Sequence, residues 1–399
     1  VDRVSYTRDR GEVATDLEAT MSDKEIIPYR PGLEGVTAGV SAISDVIAAE
    51  NRLIYRGYDI RDLAQHCEFE EVAYLVLMGA LPTRAQLEAF KAELVADREL
   101  PAEVYAVLRA LPHRGNLMAA LQAGVAALGM LDPHADDHSH EANLKKAIRL
   151  TASMATLVAN GYRILQGQEP VKPNPRLGHA ANFLYMLFDR EPEPLHAQVM
   201  NLTFILYTEH GYNASTFTAR VIASTLADIY SAVAGAIGAL RGALHGGANE
   251  AAMEAMLDIG TPERAEQWVL DKLAHKERIM GFGHREYKTG DIRAVILKDY
   301  VRQVAEQTGR TDLYQIQETM ERVMLREKNL YPNVDFPAAA IYYMMGIPIP
   351  LYTPIFAAAR IVGWSAHIIE QHDNNRLIRP RSDYNGPRDL KFVPIDQRG

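Results

Sequence analysis

Two imidazoles and one carboxylate, each set beside glycine, proline or a helix start, are the groups in this sequence best suited to chemistry. His245 stands in Leu244-His245-Gly246-Gly247-Ala248-Asn249-Glu250, His284 in Gly281-Phe282-Gly283-His284-Arg285, and Asp335 in Asn333-Val334-Asp335-Phe336-Pro337. In such surroundings the backbone can come close to a ligand. Imidazoles can donate hydrogen bonds to an oxyanion while a carboxylate removes a proton, so this set can make and hold an enolate at neutral pH.

Each segment also has a plainer reading. The paired glycines after His245 precede a run of good helix formers, which predicts this histidine at or just before a helix N-terminus. The positive end of the helix dipole keeps an imidazole neutral there, although a histidine in that place can also serve only as a cap. Asp335 lies between apolar neighbours and ahead of Pro337, where partial desolvation would raise its pKa and improve it as a base; the same pattern also fits an ordinary helix cap. Lys276 to Arg285 joins a basic helix end to a glycine loop, with Tyr287, Lys288 and Arg293 beyond it. Backbone amides and cations there suit an adenine or a phosphate, but the loop lacks the spacing of a dinucleotide fingerprint or a P-loop and by itself reads sooner as a solvated turn. His134 to His140 gathers imidazoles and carboxylates after Asp132-Pro133; it is read as a solvated loop, and no metal site is assigned.

The elements that must position these groups are mostly helices. Strand signals are confined to Ser41 to Ile47 and Arg52 to Tyr55, which can pair as a small hairpin across Glu50-Asn51. Glu70 to Met78 reads as a helix ended by Gly79, and Thr83 caps the next one through Leu87, Phe90 and Leu94. Small residues crowd Thr203 to Leu240, which predicts central helices packed closely on each other or on a second subunit.

Composition excludes several function classes. The chain has 399 residues, 48% of them hydrophobic, enough for a large core in one big domain or two unequal ones. Its net charge of -9, without a basic stripe, argues against nucleic acid as a partner, so an anionic substrate must be drawn by a local cluster of arginines. Cys67 is the only cysteine and makes no internal disulfide, which suits a reducing compartment. The most apolar stretch, Leu117 to Leu131, contains Gln122 and is shorter than a membrane span. Residues 1–24 mix arginines and acids with no apolar block; they are expected to be a flexible arm rather than a secretory signal or mitochondrial leader, with a cytoplasmic location.

The three segments, in this order and spacing, resemble the citrate synthase family. The resemblance extends from Gly32-Leu33-Glu34-Gly35-Val36 through Tyr55-Arg56-Gly57-Tyr58, Glu209-His210-Gly211-Tyr212-Asn213-Ala214-Ser215-Thr216-Phe217 and Thr353-Pro354-Ile355-Phe356 to Ile378-Arg379-Pro380. It implies an all-α fold with a minor N-terminal β-hairpin, divided into a large helical domain of residues 25–246 and 347–399 and a smaller one of 247–346. By the resemblance, Asp335 would remove a methyl proton from acetyl-CoA, His245 would hydrogen-bond the thioester oxygen, and His284 would polarise the ketone of oxaloacetate. His210, Arg293, Arg360 and Arg379 would bind the substrate carboxylates, with Arg379 reaching across a homodimer interface. Arg278, Ile279, Met280, Gly281, Phe282 and Gly283 would contact CoA, joined by Lys288. No cofactor and no metal is implied beyond the acyl-CoA substrate itself.

One departure stands out: where the family often carries His-Pro-Met, this chain has Asn116-Leu117-Met118, with His113 as a candidate substitute. The implied activity is citrate formation at entry to the tricarboxylic acid cycle. Two alternatives stay open: 2-methylcitrate synthesis from propionyl-CoA, favoured by His367-Ile368-Ile369-Glu370-Gln371 and Tyr384-Asn385-Gly386-Pro387, and a CoA-binding regulatory protein without catalysis.

Overall fold

Period-2 alternation near residue 50 and helical spacing thereafter become a three-stranded sheet followed by sixteen helices in the computed structural model, which describes residues 29–398. The arm expected over residues 1–24 lies outside the described residues. Strand β1 (Ser44–Ile47) pairs antiparallel with β2 (Arg52–Tyr55), Ser44 facing Tyr55, and β2 pairs with β3 (Tyr58–Asp59). The hairpin foreseen from the sequence is present, with β3 as an addition. Arg56 at φ 49 and Gly57 at φ 91 turn β2 into β3, and two successive positive φ values are the tight hairpin geometry that glycine makes accessible.

The helices are α1 (Ile60–His66), α2 (Phe69–Met78), α3 (Arg84–Ala96), α4 (Ala102–Ala110), α5 (Leu117–Met130), α6 (His140–Leu165), α7 (His179–Phe188) and α8 (Pro194–Tyr207). They continue as α9 (Ala214–Ala223), α10 (Ile229–Leu240), α11 (Ala248–Ile259), α12 (Pro262–Ala274), α13 (Ile292–Thr308), α14 (Thr311–Lys328), α15 (Asp335–Met344) and α16 (Tyr352–Asp373). The protein is all-α, as expected. Gly79 ends α2 in the left-handed conformation, and Thr83 with Gln86 forms a reciprocal capping box at the start of α3. Asn116, at the departure from the family pattern, caps α5 by accepting the Ala119 N–H at 3.1 Å.

Helix α16 is the axis of the core. Every residue from Tyr352 to Ile369 is buried, and the helix packs on α6, α8, α9 and α10. A helix buried all round leaves no solvated face for polar side chains, so Arg360 and His367 must find internal partners. The small residues of α9 and α10 permit the close approach foreseen for them: a Cβ on Gly235 would fall 2.1 Å from Ile222, and one on Gly238 would fall 2.8 Å from Gln122. Helices α11 to α15 pack mainly on one another, α13 against α15 and α12 against α14.

Residues 41–378 form one unit that holds all these elements, and residues 29–40 with 379–398 form another. The second unit is largely extended, with short 3-10 turns at Pro31–Leu33 and Ile395–Gln397 and exposed Leu390, Phe392 and Ile395. Among the described residues no helix is long and apolar enough to cross a membrane.

Candidate active site

His245 sits two residues before Gly247, the cap of α11, in a turn closed by Gly246 N–H donating to Leu240 O at 2.9 Å. A side chain on Gly246 would strike that carbonyl and Thr353, so only glycine fits. The imidazole leans on the start of α9, where the Ser215 N–H points at Nε2 (3.3 Å) and Ser215 Oγ lies 2.8 Å from it. The Ser215 N–H aimed at Nε2 assigns the lone pair there and the proton to Nδ1, which is then a donor. Trp364 Nε1–H and Asn213 hold the serine in turn. Burial, then the positive charge of Arg360, lower the His245 pKa to about 4. Neutrality of this imidazole thus follows chiefly from desolvation, where the sequence had pointed to the helix dipole.

Asp335 opens α15, buried and with its N–H donating to Asn333 Oδ1 at 3.1 Å. Burial raises its pKa to about 6 against the opposing pull of the Tyr207 hydrogen bond and of Arg293. Beside it, Asp291 and Arg293 form a buried pair: Arg293 donates from its backbone N–H and Nε to Oδ1, both at 3.0 Å, and from Nη2 to Oδ2 at 2.8 Å. Asp291 Oδ2 also accepts the Val334 N–H at 3.1 Å, so one carboxylate orients the arginine and tethers the backbone next to Asp335.

His284 presents the opposite tautomer from His245. The N–H groups of Glu286 (3.0 Å) and Tyr287 (3.3 Å) converge on Nδ1, which leaves the proton on Nε2. Its pKa is lowered to about 4 by burial and then by Arg293. His210 stacks edge-on against His284, ring centroids 5.0 Å apart, and its buried Nε2 has no partner among the described residues. Burial and Arg293 hold His210 well below the usual histidine range.

The glycine loop is laced to the segment that carries Asp335. Gly283 N–H donates to Tyr331 O at 2.8 Å and Asn333 N–H to Gly281 O at 2.9 Å, while Phe282 packs on Phe336. Gly281, at φ 89, approaches Phe336 so closely that a Cβ would lie 2.9 Å from its ring. Ile279 and Phe282 are buried and anchor the loop, Met280 is half-buried, and Arg278 and Lys288 are exposed cations at its ends. Helix α12 ends at Ala274, earlier than the sequence implied, because Lys276 takes a positive φ of 59.

Arg360 is buried in α16, donates from Nε to Tyr207 O at 2.7 Å and lies over the Phe356 ring at 4.7 Å. Its Nη2 has no hydrogen-bond partner among the described residues, which leaves a buried donor able to take an anion. Burial lowers its pKa to about 10, opposed by Glu209. Glu209 itself accepts from His367 Nε2 (2.9 Å) and Ser44 Oγ (3.0 Å), and Tyr55 O–H donates to its carbonyl at 2.9 Å. The hairpin thereby pins the segment that presents His210.

His245, His284, Asp335, His210, Arg293 and Arg360 all belong to the 41–378 unit, linked by the His210–His284 ring contact and by the charges of Arg293 and Arg360, both of which reach Asp335, while Arg293 also reaches His284 and Arg360 reaches His245. Arg379 is exposed and belongs to the other unit. His113 is also exposed, beside Gly167. The loop before His140 is held by Lys146, whose ammonium donates to the carbonyls of His134, Ala135 and Asp137. Sequence reasoning missed Asp291, Tyr207 and Ser215 as site residues. The Asp291-Ile292-Arg293 spacing at a helix start was a usable signal for the first; a tyrosine at a helix end carries none.

Known proteins resemble this chain over most of its length. The family model described as citrate synthase, C-terminal domain, matches residues 32–381. Citrate synthase 2 of Bacillus subtilis is 48% identical over 92% of this chain and 98% of its own, and the citrate/2-methylcitrate synthase of the same organism is 44% identical over 90% and 97%. The solved ternary complex of carboxymethyl coenzyme A and oxaloacetate with citrate synthase from Thermoplasma acidophilum superposes with a TM-score of 0.88 at 34% identity, covering 92% of this chain and 99% of that one.

Proposed function

Since the chain belongs to the citrate synthase family, it condenses acetyl-CoA with oxaloacetate and hydrolyses the product to citrate and CoA, and we propose that Asp335, His245 and His284 carry the chemistry. Asp335 takes a methyl proton from acetyl-CoA. His245 donates from Nδ1 to the thioester oxygen as the enol forms, and His284 donates from Nε2 to the keto oxygen of oxaloacetate. Attack of the enol carbon on that carbonyl gives citryl-CoA, which water then cleaves. Preorganised donors stabilise both oxyanions, so the scheme calls for no metal ion.

The observation that supports this reading is shared electrostatics: Asp335 is acted on by both Arg293 and Arg360, His245 by Arg360 and His284 by Arg293. One carboxylate thus feels both guanidinium groups and each histidine feels one of them, and two buried cations suit a dianion such as oxaloacetate. Within the proposal, His210, Arg293 and Arg360 bind the substrate carboxylates, and residues 278–283 with Lys288 receive CoA.

The proposal also includes a homodimer in which Arg379 crosses to the partner's site. The half-exposed small faces of α9 and α10 and the exposed apolar side chains of residues 379–398 favour it. A hinge between residues 25–246 with 347–399 and residues 247–346 would close the site over substrate, as the mutual packing of α11 to α15 suggests. The reaction is assigned to the cytoplasm, at entry to the tricarboxylic acid cycle.

Thiol release from acetyl-CoA and from propionyl-CoA, each with oxaloacetate, tests the reading. Free CoA from neither substrate rejects catalysis and leaves the regulatory alternative. The 44% identity to a citrate/2-methylcitrate synthase favours 2-methylcitrate formation as a second activity, and accommodating one methyl group is a matter of only ~1–3 kcal/mol.

A further inference from the structure

Tyr207 is the last residue of α8 and is fully buried, with its hydroxyl donating to Asp335 Oδ1 at 2.8 Å. No other hydrogen bond reaches the Asp335 carboxylate among the described residues. The phenol is fixed at both ends. Its ring packs on Phe356 with centroids 4.4 Å apart, and its own carbonyl accepts from Arg360 Nε at 2.7 Å.

A free carboxylate offers two equivalent oxygens and rotates between them, which blurs the geometry of proton abstraction. Taking Asp335 as the base, as in the function proposed above, we propose that Tyr207 is a positioning residue: its hydroxyl occupies Oδ1 and leaves Oδ2 as the oxygen that receives the substrate proton. The same residue registers the base against Arg360, because one end of Tyr207 holds each of them. The hydrogen bond also favours the ionised carboxylate, while burial of Tyr207 keeps the phenol protonated and therefore a donor. The other titratable or charged groups facing Asp335 are Asp291 and Arg293 at the start of α13, Arg360 on α16 and Tyr342 on α15.

Tyr207→Phe removes one oxygen and keeps the ring contacts. In this variant kcat with acetyl-CoA and oxaloacetate is expected to fall ~10- to 100-fold, the effect of losing one hydrogen bond to a charged group in the transition state. The KM for oxaloacetate stays unchanged, and the acid limb of kcat/KM moves to higher pH. Replacing Tyr207 with a ring-fluorinated tyrosine, whose phenol is more acidic, moves that limb to lower pH; this second variant serves if Tyr207→Phe does not fold. Wild-type kcat, or an acid limb that stays in place in both variants, overturns the proposal. A wild-type protein that releases no CoA instead defeats the assignment of Asp335 as base, so the two failures are distinguishable.

Discussion

Replacing Asp291 with asparagine keeps the shape of the side chain and removes its charge at a fully enclosed position, where the side chain of Asp291 is 0% exposed and that of Arg293 is 4% exposed. Four donors converge on the carboxylate: the Arg293 backbone N–H and Nε on Oδ1, and Arg293 Nη2 with the Val334 N–H on Oδ2. Whichever way the amide is turned, its NH₂ meets two of these donors, so two hydrogen bonds are lost and Arg293 is left as an uncompensated buried cation. Breaking a buried pair from one side destabilises by about 3–5 kcal/mol. The loss is legible in urea unfolding at fixed protein concentration, a condition that matters if the protein dimerises.

The same change should raise the KM for oxaloacetate, because Asp291 orients Arg293, and should lower kcat, because it tethers Val334 beside Asp335. The pH dependence supplies a sign check. Burial pushes the Asp291 pKa up, but Arg293 outweighs it and the net shift is downward. A carboxylate depressed in the folded state contributes stability that is fully present above its unfolded value near 4 and is lost as pH falls through the folded one. The difference between wild type and Asp291→Asn should therefore be constant at neutral pH and shrink in strong acid. A stability loss below ~1 kcal/mol with an unchanged KM would refute the account of this pair.

Three further outcomes are expected. Asp335→Asn keeps an oxygen for the Tyr207 hydroxyl and should fold normally while CoA release drops ~10²–10⁴-fold; near-wild-type turnover would remove Asp335 from the mechanism. In wild type, kcat/KM should rise with pH through about 6, where Asp335 ionises, and stability should decline as pH falls from ~6.5 toward the folded values of His245 and His284, both about 4, because each is held neutral only when folded. A pH-rate profile and denaturation at matched pH values check both parts. Gly281→Ala places a Cβ against Phe336 at a φ of 89 and should destabilise by ~2–4 kcal/mol with a parallel fall in activity, since Phe336 adjoins Asp335; a neutral effect in thermal melts would contradict the close approach.

Much of the local structure could be read from the chain because its signals are local. Gly79 ends α2 and Thr83 with Gln86 caps α3, since each residue satisfies backbone groups within a few positions. The hairpin at Arg52–Tyr55 was equally legible, whereas the two-residue β3 was not, being too short to show alternation. The family resemblance named His210, His245, His284, Arg293, Asp335 and Arg360. It did not name Asp291, whose partner Arg293 lies only two residues on, or Tyr207, whose partner Asp335 is distant in sequence and advertised by nothing beside it.

Residue order alone thus determined that helices dominate, where many of them stop, and which imidazoles, carboxylate and guanidinium groups are the candidates for chemistry. Tertiary structure decided the protonation and surroundings of these groups. The tautomers of His245 and His284 depend on N–H groups supplied by Ser215 in one case and by Glu286 and Tyr287 in the other. The depressed histidines and the raised Asp335 depend on burial and on Arg293 and Arg360, which folding brings near them. Helix periodicity and capping are short-range properties of the backbone, but desolvation and charge coupling exist only after distant segments have excluded water from one another.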